Sequence, residues 1–124
     1  MRERAKELKA AEKGAEAEQA VVDAIAALPE PDRTLAGAIH ALIRQQAPSL
    51  APRTWYGMPA YALDGEVLCF VQPASKFKVR YATLGFQPNA QLDDGALWPT
   101  AFAVTEWTPE VASQVSALLA KAIG

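Results

Sequence analysis

One cysteine and one histidine in 124 residues leave little material for redox or metal chemistry. Cys69 has no second thiol, so an intramolecular disulfide and zinc sites of the CxxC type are excluded. His40 has no second ligand at helical or strand spacing, which favours a structural role for it. Charge of one sign is also scarce: 12 Lys and Arg stand against 14 Asp and Glu, a formal net charge of −2. No global field is available to hold a polyanion, so nucleic acid is disfavoured as a partner. No apolar run reaches membrane-spanning length, and the charged start lacks the apolar segment of a secretory signal. A cytoplasmic protein with no membrane partner is expected. The GxSxG elbow, the P-loop, GxGxxG and HExxH are all missing, so no enzymatic activity is expected.

What is present is the composition of a globular chain, 51% hydrophobic and 21% charged, and long enough for a single core. Residues 1–19 interleave five acidic and five basic residues with alanine, a charged N-terminal helical extension stabilised by pairs three or four apart. Residues 20–124 form the domain proper. Val21, Ile25 and Leu28 place one helical stripe on the core, with Gly14 a weak point upstream. After Pro29 and Pro31, with Glu30 or Asp32 as cap, a second helix over about 33–46 buries Leu35, Ile39 and Leu42, with Ile43 beside them. Pro48 and Pro52 stop it.

Residues 54–63 read as one extended strand, Trp55, Gly57, Pro59 and Tyr61 on one side, Tyr56, Met58, Ala60 and Ala62 on the other. Pro59 makes it an edge strand or a bulged one. Asp64-Gly65 is the strongest hairpin signal in the chain. The apolar run Val67–Val71 follows as a strand covered on both faces. Lys76–Thr83 alternates cleanly, with Lys76, Lys78 and Arg80 opposite Phe77, Val79 and Tyr81, and ends or kinks at 84–86. Residues 98–107 form a fourth strand broken near Pro99. Thr108-Pro109-Glu110 then marks a closing helix that buries Val111, Val115, Leu118 and Leu119, with Ile123 near its end. The expected class is α+β, with two N-terminal helices, an antiparallel sheet of about four strands and a C-terminal helix, the helices packed on one sheet face.

The stretch WYGMPAY, its Asp-Gly turn, the VLCF run, KFKVRYATLGF and the final TPEVASQVSALLAKAI resemble the YdhG-like family of small domains of unknown function over residues 20–124. Gly57-Met58-Pro59-Ala60-Tyr61 is the most specific piece. Some members of that family are described as frataxin-like intracellular iron chaperones, and the resemblance implies an iron-binding role here.

Three constellations are candidates for a site. Trp55, Tyr56, Met58 and Tyr61, interrupted by Pro59, offer aromatic and thioether surface for a ligand, or else half of a strand packed on the helices. Lys76, Lys78 and Arg80, about 6 to 7 Å apart along one strand, could hold an anionic group or form a solvated face. Asp93 and Asp94 with Glu106 are the metal candidates, although an Asp pair before Gly is also turn chemistry and Glu110 serves a helix start. Cys69, inside an apolar strand, is an inert small hydrophobe. The leading expectation is a cytoplasmic binding domain for a small ligand or metal ion. The alternatives are a homodimerising interaction module, or a protein acting on a small anionic ligand.

Overall fold

The computed structural model describes residues 2–124, with side chains from Arg4 onward. The elements in order are α1 (Arg2–Ala26), α2 (Asp32–Gln46), β1 (Ala51–Trp55), β2 (Met58–Leu63), β3 (Glu66–Gln72), α3 (Ala74–Phe77), β4 (Ala82–Phe86), β5 (Ala101–Val104) and α4 (Pro109–Ile123). The five strands form one antiparallel sheet in chain order, a meander. The class is α+β, as the residue pattern indicates.

The core lies between α1, α2 and α4 and one face of the sheet. Val21 and Ile25 of α1, Leu35, Ile39 and Ile43 of α2, and Val115 and Leu119 of α4 meet Tyr61, Cys69, Val71, Leu84, Phe86 and Val104. Each such aliphatic side chain contributes about 1.5–3 kcal/mol by leaving water. The caps are local chemistry. Thr108 Oγ1 accepts from the Val111 N–H at 3.1 Å, and a Glu30 carboxylate oxygen accepts from the Thr34 N–H at 2.8 Å. Asp32 instead reaches across the fold, accepting from the Ser75 N–H at 2.8 Å.

The Asp64-Gly65 turn joins β2 to β3 with both residues at positive φ, as expected. A second turn of the same kind was not foreseen. Tyr56 and Gly57 have φ of 51° and 74°, so residues 54–63 are two strands joined by a two-residue hairpin, and the sheet has five strands. The sidedness changes with it. Trp55 pairs with Met58 on the face away from the helices, whereas Pro59 and Tyr61 point to the helix side.

The strand carrying Pro59 is not an edge, because β2 lies between β1 and β3, but its pairing with β3 does carry a bulge, between Tyr61 and Ala62 rather than at the proline. Trp55 and Met58 flank the turn as a hydrogen-bonded pair, so Thr54 and Pro59 form a non-bonded pair and the Pro59 nitrogen faces β3. The β2–β3 ladder begins only at Ala60, so the proline removes no bond from it.

The alternation over Lys76–Thr83 does not become a strand. Residues 74–77 are helical, Lys78 closes that turn in the left-handed conformation, and β4 starts only at Ala82. Lys76, Lys78 and Arg80 therefore share no strand face. Pro73 enters the turn and the Lys78 and Val79 N–H groups bond back to residues 75 and 74, a local closure that overrides the two-residue period. Leu84, Gly85 and Phe86 are the last three residues of β4, so a strand does end there, although it begins only at Ala82. Glycine is required there because a Cβ at 85 would collide with the Phe70 ring. In α4 only Val115 and Leu119 of the expected stripe are buried, while Val111, Leu118 and Ile123 are half-buried.

Candidate functional site

Of the aromatic cluster, the structure brings together Trp55 and Tyr56 and leaves Tyr61 elsewhere. The Trp55 ring packs edge-on to Tyr56 at 4.9 Å between centroids and against Phe70 at 5.2 Å, leaning over Ala60 on the open sheet face. Tyr56 is 78% exposed. Lys76 joins this group by donating from Nζ to the Tyr56 carbonyl, which clamps the hairpin to α3. Met58 and Pro59 are buried and offer no surface.

Tyr61 is fully buried on the opposite face. Its hydroxyl lies 2.7 Å from His40 Nδ1, and the His40 Nε2 faces Glu18 at 3.8 Å. Glu18 in turn accepts from Arg44 Nε at 2.7 Å, and Arg44 donates to the Leu50 carbonyl. This network ties α1, α2 and β2 together. The Glu18 carboxylate favours the N–H on Nε2, which leaves Nδ1 as acceptor and Tyr61 as donor. Burial holds His40 below its ordinary pKa, against the pull of Glu18 and with help from Arg44. Burial likewise raises the Tyr61 hydroxyl, so it remains protonated, and pushes the Cys69 thiol up to about 12. His40 is held by Tyr61 and faces Glu18, and Cys69 is a buried free thiol.

The acidic candidates do not converge. Asp93, Asp94 and Glu106 are all exposed, and among the described residues no three His, Cys, Asp or Glu side chains come together as a metal-binding group. The donor set present does not fit an iron site. Arg80 stacks over the Tyr81 ring at 5.3 Å and borders a small pocket of about 280 Å³ beside Asp32 and Ser75.

A larger concavity lies where the sequence pointed least, between the edge strand β5 and α4. It measures about 640 Å³. Its walls are Leu84, Phe102, Val104, Val111, Val115 and Leu118, and its rim carries Thr105, Glu106, Gln114 and Lys121. Phe102 and Val104 point into it because alternate residues of β5 share the helix face with Leu84 and Ala82. Among the described residues neither Glu106 nor Lys121 is in a salt bridge. The sequence offered an α4 stripe of five apolar positions, but of residues 98–107, expected as a strand, only Ala101–Val104 form β5, too short to cover that stripe.

No family model, curated protein or solved structure matches this chain. No helix among the described residues is long and apolar enough to cross a membrane.

Proposed function

We propose that this protein is a binding domain whose ligand seat is the groove between β5 and α4. The observation that carries this reading is an apolar concavity of about 640 Å³ with an acid, a base and an amide at its rim, of the size and make-up of ligand sites in general. The ligand has an apolar body seated on Phe102, Val104 and Leu118 and polar groups meeting Lys121 and Glu106. A chain whose only thiol is buried and free suits the cytoplasm. Titration of the ¹⁵N-labelled protein with the apolar dye 1-anilinonaphthalene-8-sulfonate tests the seat. Amide shifts confined to residues 102–121 are expected, and saturating dye with no shift there would remove the reading.

A second reading is favoured by an aromatic ridge that is exposed at Tyr56 and half-buried at Trp55 and Phe70. Tyr56, Trp55 and Phe70 on the open sheet face suit a protein contact, including a second copy. Sedimentation at several concentrations tests it. A monomer throughout, or a dimer unaffected by Tyr56→Ser, counts against it.

A further inference from the structure

The two edges of the sheet differ. On β1 the Pro52 pair with Tyr61 is a non-bonded one, so the Pro52 ring faces outward and that edge lacks a donor, and α1 packs against the same strand. The β5 edge has no such protection. The Phe86 N–H donates to the Thr100 carbonyl at 2.8 Å, which fixes Leu84 with Phe102 and Ala82 with Val104 as the bonded pairs. Ala101 and Ala103 therefore turn their N–H and C=O groups away from β4. Both residues are exposed, and among the described residues their outward groups have no hydrogen-bond partner. Ala103 also lines the apolar groove.

We infer that the groove takes an extended peptide segment, added antiparallel to β5 as a sixth strand. This rests on the groove being a ligand seat and names its occupant. A strand bonded to Ala101 and Ala103 places every second side chain under α4, against Phe102, Val111 and Leu118, and the others on the open face. The rim sets the direction. Chain order puts Glu106 just past the end of β5, while α4 runs back so that Lys121, in its last turn, borders the Phe102 end. An antiparallel strand starts at Glu106 and finishes at Lys121, so a basic residue at its N-terminal end and an acidic residue at its C-terminal end are both matched. The peptide is of the form basic–x–apolar–x–apolar–x–acidic. A second copy fits less well, because the inward side chains of its own β5, Phe102 and Val104, are already packed beneath its own α4 and cannot fill this groove.

The test is an array of fluorescent heptapeptides of that form, read by anisotropy, against the same peptides with the end charges exchanged. Ala103→Pro removes the outward N–H without touching the β4–β5 ladder, since Thr83 and Ala103 are a non-bonded pair. Binding about tenfold weaker to Ala103→Pro, with dye binding in the groove unchanged, and a reversed end-charge preference in Lys121→Glu are the expected results. Dye entering the groove while no array member binds, or peptide binding equally to Ala103→Pro, overturns strand addition and leaves the groove reading intact. Neither dye nor peptide perturbing residues 102–121 removes both. A dimer abolished by Ala103→Pro would assign the edge to a second copy and likewise overturn the proposal.

Discussion

Tyr61→Phe removes one hydroxyl from the centre of the molecule and leaves the ring, at 0% exposure, in place. His40 Nδ1 then loses its donor 2.7 Å away, in a side chain 14% exposed and with little room for water to substitute. An orphaned acceptor of this kind costs about 1–3 kcal/mol, and the partial exposure of the imidazole puts the loss near 1.5 kcal/mol. With an unfolding entropy of about 2.1 cal/mol/K per residue, that lowers Tm by about 6 °C. Urea unfolding followed by tryptophan fluorescence measures it. The double variant His40→Leu, Tyr61→Phe replaces both partners with apolar groups and should recover much of the loss. A single variant as stable as the parent, or a double variant no better than the sum of the two singles, would refute the reasoning.

The same histidine predicts a pH dependence. Its folded pKa lies below the ordinary value, so the unfolded chain takes up a proton that the folded chain resists. The contribution is complete above about pH 6.5 and is lost as pH falls through the folded value, at no more than about 1.4 kcal/mol per unit. Because His40 is the only histidine, His40→Leu should flatten stability between pH 7.5 and 5.5, and a parent protein already flat there contradicts the assignment. Gly65→Ala meets no atom within 4 Å but must hold φ at 87°, so it should cost about 1–2 kcal/mol of backbone strain in urea unfolding. Thr108→Ala removes the cap bond to Val111 and should cost about 1 kcal/mol, with amide exchange fastest in the first turn of α4. The Cys69 thiol, buried and pushed up to about 12, should resist Ellman's reagent at pH 8 until the protein unfolds.

Features that act within a few residues were legible. The Asp64-Gly65 turn, the Thr108 cap and most of the α2 stripe are each set by neighbours along the chain and lie where the pattern puts them, although Ile43 is buried and Leu42, expected in the stripe, is only half-buried. Tyr56-Gly57 carried the same kind of signal as Asp64-Gly65, but flanking Trp55, Met58 and Tyr61 are such strong strand formers that the glycine was absorbed into one strand. As one strand, residues 54–63 would put Trp55 and Tyr61 on the same face; the two-residue turn separates them, Trp55 on the open face and Tyr61 in the core, because it reassigns which side chains share a face. Lys78 gave no sign of its left-handed backbone, a conformation that glycine, asparagine and aspartate announce and lysine does not.

The sequence by itself determined the class, the three long helices, the Asp64-Gly65 turn and the Thr108 cap, since these follow from hydrophobic period and local hydrogen bonding. Tertiary structure alone decided which concavity exists. The groove arises because β5 stops after Val104 while α4 runs on to Ile123, a mismatch in length between two successive elements that opens only once both are packed on the sheet. The free edge beside it is likewise a product of strand order and of bonding parity across β4, neither of which is written in any single stretch of residues.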